Sequence, residues 1–175
     1  MRKLILAAGL VLMAGGAQAA TLNVVGGQLM GASNVLVDGS LYDVQFLDGS
    51  CIDLYNGCDD LSDFTFQTEA SATLASQALL DQVFLDGVDG LFDADPALTN
   101  GCSDVWQCGI QTHFGFNPWP STVATAVTSN NNPGSGVDMA NWVTSFAVST
   151  ADTRNEPLWA YLSYRPTIGG AENAA

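Results

Sequence analysis

The sequence predicts an α+β fold: a mainly antiparallel β-sheet, one main helix packed on one face, and two disulfides. Three observations predict it. Strand-like segments precede and follow a single helical segment, which is the order typical of this class. Four cysteines remain after the N-terminal segment. Asp-Gly or Asn-Gly pairs, which supply the positive φ of tight turns, recur at 38–39, 48–49, 56–57, 86–87, 89–90 and 100–101.

The clearest hairpin joins residues 34–37 to residues 40–47 through Asp38-Gly39. In its second arm, apolar and polar side chains alternate with the period of a strand. We expect one set to be buried (Tyr42, Val44 and Phe46) and the other to face water (Asp43 and Gln45). A further short strand is predicted at 61–67, with Phe64 and Phe66 on one side.

One helix is predicted at 69–85. Thr68 is a suitable N-cap, and Glu69 in the first turn faces the positive end of the helix dipole. Asp86-Gly87 ends the segment. Apolar residues at spacings of three and four give it a buried stripe, formed by Ala72, Ala75, Leu79 and Val83 and widened by Leu80 and Phe84.

The second half predicts strands at 121–129, 142–148 and 158–164, with a flexible loop at 130–136. There is no internal repeat and no linker. We therefore expect a single exported α+β domain over residues 20–168 and a flexible tail over 169–175.

Residues 1–19 have the composition of a cleavable secretory signal peptide. Met1-Arg2-Lys3 is followed by an apolar run over 4–14 and then by Ala17-Gln18-Ala19, a cleavage site of small residues. The run is shorter than the ~20 apolar residues that span a bilayer. The alternative is a buried N-terminal helix. The signal peptide predicts an exported protein, periplasmic or extracellular.

The exported part is strongly acidic. Residues 20–175 hold all 18 acidic side chains but only Arg154 and Arg165 as basic ones, a formal side-chain charge of −16. Such a surface repels nucleic-acid phosphates and anionic lipid headgroups. We therefore expect no nucleic-acid partner, and no segment of the mature chain is apolar enough to predict a membrane span. The charge serves solubility or, alternatively, attracts divalent cations.

The cysteines predict disulfides, since an even number in an exported chain usually pairs. Four cysteines allow three pairings, and we favour the two that are closest in sequence, Cys51–Cys58 and Cys102–Cys108. The alternative, a zinc site, requires closer spacings such as two cysteines separated by two residues.

An acid-rich stretch after the helix is a candidate calcium site, because calcium prefers carboxylate and carbonyl oxygens from turn-rich loops. Its carboxylates are Asp86, Asp89, Asp93 and Asp95. The alternative is a solvated turn. The same reasoning applies less strongly to four aspartates around the first cysteine pair: Asp53, Asp59, Asp60 and Asp63. No other cofactor is indicated.

Two other residue types could carry function. His113 is the only histidine; a Ser-His-Asp triad needs only one, yet no nucleophile motif accompanies it, so we expect a structural strand histidine. Tryptophans can offer flat faces to sugar rings. Trp119, between Pro118 and Pro120, is the one we expect to be exposed and to contact a ligand.

Several segments, in order and spacing, resemble the N-terminal body of PEP-CTERM proteins over residues 21–110; they are 31–35, 41–51, 78–84 and 98–102. Those proteins are secreted bacterial substrates of exosortases, associated with exopolysaccharide and biofilm matrix. The resemblance implies a matrix setting and no catalytic residues. The family ends in Pro-Glu-Pro, a transmembrane helix and a basic cluster. Here Glu156-Pro157 precedes a run too short to span, so we expect the sorting tail to be lacking.

Together these features predict an exported non-enzymatic protein, associated with extracellular matrix or exopolysaccharide. The alternative is a small secreted hydrolase that uses paired aspartates, Asp93 and Asp95. The ligand, the oligomeric state and processing by an exosortase are left open.

Overall fold

A computed structural model describes residues 19–117, 122–131, 138–146, 150–155 and 159–166. Three predictions fall wholly or mostly outside them: the signal peptide apart from its last residue, the exposure of Trp119, and the flexible tail. Of the predicted loop at 130–136, the first two residues belong to a strand and the others lie outside the described ranges.

Nine strands are described. They are β1 (Thr21–Val25), β2 (Gln28–Val37), β3 (Ser40–Leu47), β4 (Asp86–Gly87), β5 (Gly90–Leu91), β6 (Gln107–Asn117), β7 (Thr122–Asn131), β8 (Met139–Phe146) and β9 (Trp159–Pro166). Seven form one sheet in the order β1-β2-β3-β9-β6-β7-β8, and β4 and β5 form a separate small hairpin. All neighbours in the large sheet are antiparallel except β6 and β9. The predicted α+β class is confirmed.

The predicted hairpin is present as β2 and β3, with a bulge that its pattern does not reveal. The register shifts between Ala32 and Val35, and Asn34 has a φ of 60°. The carboxylate of Asp43 accepts the backbone N–H of Asn34 at 3.3 Å. Asp43 is therefore half-buried rather than fully in water, whereas Gln45 is exposed as expected.

Two α-helices are described, α1 (Cys51–Leu54) and α2 (Glu69–Gln82). The predicted cap of α2 is confirmed, since the Thr68 hydroxyl accepts the backbone N–H of Ser71 at 3.2 Å. The helix ends three residues before the predicted end. The N–H groups of Val83 and Phe84 both donate to the carbonyl of Leu79, which closes the last turn. Phe84 then lies in the core, stacked on Phe46 with ring centroids 5.5 Å apart.

Helix α2 crosses the strands of the sheet. Near its middle, the Ser76 hydroxyl hydrogen-bonds that of Thr112 in β6; at its end, the Gln82 amide bonds both backbone groups of Leu36 in β2. The helix also contacts β7 and β8. A 14-residue helix is about 21 Å long, roughly four strand spacings. The main core lies beneath it; its fully buried members include Leu29, Val35, Phe46, Leu79, Val83, Phe92 and Ile110.

A second small core lies around the first disulfide. We call residues 51–64 the disulfide lobe; its buried members are Cys51, Cys58 and Phe64, packed with Leu47, Leu54 and Tyr55. The strand predicted at 61–67 is wrong. A 3-10 helix, Leu61–Asp63, forms there because the Asp60 and Asp63 carboxylates cap its N-terminus reciprocally. As a result, Phe64 joins the second core and Phe66 joins the main one.

Candidate functional site

Both disulfides form as favoured from the spacing. Cys51 pairs with Cys58 and Cys102 pairs with Cys108, each with Cα atoms 5.7 Å apart. No cysteine of the chain is left as a thiol. Because all four sulfurs are covalently paired, none is a zinc ligand or a nucleophile.

The predicted calcium stretch folds as a turn closed by one of its own carboxylates. Asp86 accepts the backbone N–H groups of Asp93 and Ala94 through one oxygen, both at 3.0 Å. Asp89 is exposed in the turn between β4 and β5. Within the described ranges, no three His, Cys, Asp or Glu side chains come together as a metal site. Asp86 thus has a structural role, and calcium binding at these four residues stays a prediction.

The two aspartates of the hydrolase hypothesis differ in environment. Asp93 is exposed, whereas Asp95 is partly buried. One carboxylate oxygen of Asp95 is shielded from solvent and accepts no hydrogen bond from the part of the chain that the structure describes. One carboxylate is therefore partly shielded and the other exposed, and within the described residues no hydrogen bond joins the two side chains.

The second acidic cluster also closes turns. Asp63 accepts the N–H groups of Asp59 and Asp60 at 3.0 Å, and Asp60 accepts that of Ser62 at 2.8 Å. Hydrogen bonds from Ser62 lower the pKa of Asp60. Asp53 accepts the Ser50 hydroxyl at 2.6 Å. These carboxylates therefore have protein donors.

A polar junction joins the turn that precedes the disulfide lobe to residues 152–154. The buried Thr153 hydroxyl donates to Asp48 at 2.7 Å and accepts the backbone N–H of Gly49 at 3.0 Å. Arg154 pairs with Asp152 at 2.6 Å on the surface, and its hydrogen bond lowers the pKa of Asp152. Sequence reasoning missed this junction because its two halves are more than 100 residues apart and neither has a local signature.

His113 lies in β6, as the prediction of a strand histidine requires, and is buried against the disulfide lobe. Its ring centroid is 5.2 Å from that of Tyr55 and 5.7 Å from that of Phe64. A bulge in β6 between His113 and Gly115 brings Phe116 to the same aromatic group, 5.3 Å from Phe64. Burial lowers the pKa of His113 from 6.5 to about 3, so the imidazole is neutral at physiological pH.

Trp106, in the loop closed by the second disulfide, is exposed. Its exposed fraction is 62%, and that of the preceding Val105 is 51%. The Asp104 carboxylate accepts the backbone N–H of Trp106 at 2.7 Å and that of Gln107 at 3.2 Å. Sequence reasoning favoured Trp119, which lies outside the described residues. The available signal for Trp106 was its place between two cysteines six residues apart, which predicts a short cross-linked loop but not the exposure of the ring.

No protein-family model, curated protein or solved structure matches this chain. In the described part of the chain, none of the helices has the length and apolar character needed to cross a bilayer. The two disulfides fit an exported protein.

Proposed function

We propose that this chain is an exported, non-enzymatic protein that associates with an extracellular polysaccharide matrix. The observation that carries the proposal is the pair of closed disulfides, which leaves no thiol in the chain. Disulfides persist in oxidising compartments and are rare where glutathione and thioredoxin keep thiols reduced. The N-terminal signal-like segment supports the same compartment.

The chemistry of the polar residues supports a non-enzymatic role. The imidazole of His113 is buried among aromatic rings, where it is held neutral. Asp60, Asp63 and Asp86 accept backbone N–H groups and thereby close turns. Groups that are committed to the fold in this way are poorly placed to transfer protons to a substrate.

Association with a polysaccharide is supported by the resemblance to PEP-CTERM proteins and by an exposed tryptophan on a cross-linked loop. Indole rings bury a large area in a contact and carry one N–H donor, so they suit ligands with both apolar and polar faces. The mature charge also keeps the protein away from nucleic acids and anionic lipids.

The experiment is retention of the mature, oxidised protein on polysaccharide purified from the producing organism. We expect retention above that of an unrelated protein of similar size and charge, and loss of retention after reduction and unfolding. Retention no greater than that of the unrelated protein would contradict the matrix role.

The second candidate is a hydrolase that uses Asp93 and Asp95. It is favoured by the carboxylate oxygen of Asp95 that is shielded from solvent and accepts no hydrogen bond from the described residues. A screen of glycan and peptide substrates should include the Asp93→Asn and Asp95→Asn variants, with Asp89→Asn as the matched control. Turnover that both variants lose and Asp89→Asn keeps would replace the non-enzymatic proposal.

A further inference from the structure

The loop that carries Trp106 is organised before any ligand binds. The cysteines at its ends are buried, with exposed fractions of 4% for Cys102 and 0% for Cys108. Between them, Asp104 accepts two backbone N–H groups, which fixes the chain on both sides of the indole-bearing residue. Because the backbone around Trp106 is already fixed, a ligand that contacts Trp106 does not have to order the loop, and the entropic cost of binding is small.

The exposed indole also belongs to a strongly acidic chain. The Asp104 carboxylate is two residues away and hydrogen-bonds the Trp106 backbone at 2.7 Å. The mature chain has 18 acidic and two basic side chains. A cation gains both from the face of an indole ring and from nearby carboxylates, whereas an anion is repelled.

We propose that Trp106 and Asp104 form a binding site for a polysaccharide whose sugars carry free amino groups. The indole face stacks on the sugar ring, and the ammonium group interacts with the indole face and the Asp104 carboxylate. This inference rests on the proposed matrix function and names the class of polysaccharide. It excludes acidic polysaccharides, because their carboxylates or sulfates meet the same negative surface.

The test is calorimetric titration of the mature, oxidised protein with a soluble chitosan oligomer, under conditions in which the amino groups are protonated and the aspartates ionised. Trp106→Ala removes the ring, and Trp106→Phe restores an aromatic face. We expect the Ala variant to raise the apparent Kd about fivefold, the effect of losing about 1 kcal/mol of an exposed cation–π contact, and the Phe variant to raise it less.

The carboxylate is tested with Asp104→Asn, which removes the charge but keeps an oxygen that can accept the two backbone N–H groups. Asp81→Asn is the matched control, because it makes the same change in net charge on the exposed side of α2 and keeps an oxygen that can accept the Gln77 amide. Leu74→Ala, at a helix position with a 50% exposed side chain, controls for loss of apolar surface. We expect weaker binding for Asp104→Asn and wild-type binding for both controls.

Three results would overturn the inference. One is that the protein is retained on the producer's own polysaccharide but does not bind chitosan. This result would contradict the inference but not the proposed matrix function. Another is equal binding of chitosan by Trp106→Ala and wild type, which would indicate attraction by net charge alone. The third is equal binding of fully acetylated chitin oligomers, which carry no free amino groups. Failure of retention on every polysaccharide would instead contradict the proposed function itself.

Discussion

The burial of His113 predicts that the protein loses stability between neutral and mildly acidic pH. In the folded chain the pKa of His113 is lowered to about 3 because the ring is surrounded by protein, whereas an unfolded chain has the ordinary value of 6.5. Below pH 6.5 the unfolded state therefore binds a proton that the folded state refuses. Stability is fully present above the unfolded pKa and falls as the pH drops from 6.5 towards the folded pKa.

The size of the effect follows from proton linkage. Two pH units below the unfolded pKa, at about pH 4.5, a single proton costs about 2–3 kcal/mol of unfolding free energy relative to about pH 7.5. The ordinary pKa values of free Asp and Glu side chains, about 3.9 and about 4.3, lie below this window. Protonation of His113 in the unfolded state should therefore account for most of the difference in unfolding free energy between these two pH values.

The assay is urea unfolding of the oxidised protein, followed by tryptophan fluorescence at about pH 7.5 and about pH 4.5. His113→Phe and His113→Gln, neither of which titrates, should lose most of the difference between the two conditions. Two variants are used so that the test does not depend on this packed site tolerating one particular substitution. Equal wild-type stability at the two pH values, or an undiminished difference in a folded variant, would refute the reasoning.

Three further predictions concern the framework. Replacing both Cys51 and Cys58 by Ser should lower the free energy of unfolding, measured in urea, by about 2.5 kcal/mol, because the disulfide no longer closes the short loop in the unfolded chain. Unchanged stability would contradict this. Gln82→Ala should cost about 1–2 kcal/mol and speed amide exchange in β2, since two hydrogen bonds from the helix end to that strand are lost. Gly31→Ala should lower the free energy of unfolding in urea by about 1–3 kcal/mol, because an added Cβ meets a backbone carbonyl of β3. Gly87→Ala, with open space at that position, is the control and should cost little by the same measurement.

The parts of the fold that were predictable are those in which neighbouring residues determine the structure. The β2–β3 hairpin follows from alternating side chains around Asp38-Gly39, and the start of α2 follows from Thr68. The cysteine pairing follows from short spacing. Each of these features depends on contacts between residues that are close in sequence. The local sequence pattern is therefore sufficient to predict them.

Long-range contacts account for what was missed. The aromatic environment of His113 is assembled by Tyr55 and Phe64, about 50 residues away, and the bond between Thr153 and Asp48 spans 105 residues. The wrong strand at 61–67 has another cause. The alternation of residues 61–67 suggests a strand. The Asp60 and Asp63 carboxylates instead accept backbone N–H groups at the start of a 3-10 helix, which stabilises the helix in place of the strand.

The exposure of Trp106 at the candidate site is a separate case. The cysteine spacing predicts the disulfide that closes the loop, but it does not predict how far the indole extends into solvent. The Asp104 hydrogen bonds fix the backbone beside the indole.

The measurement that tests the central claim most directly is intact mass spectrometry, with thiol alkylation, of the protein isolated from its native cell. The account predicts a chain that begins at Ala20 and takes up no alkylating agent before reduction, but four equivalents after it. A chain that still begins at Met1 and alkylates at all four cysteines without reduction would contradict it.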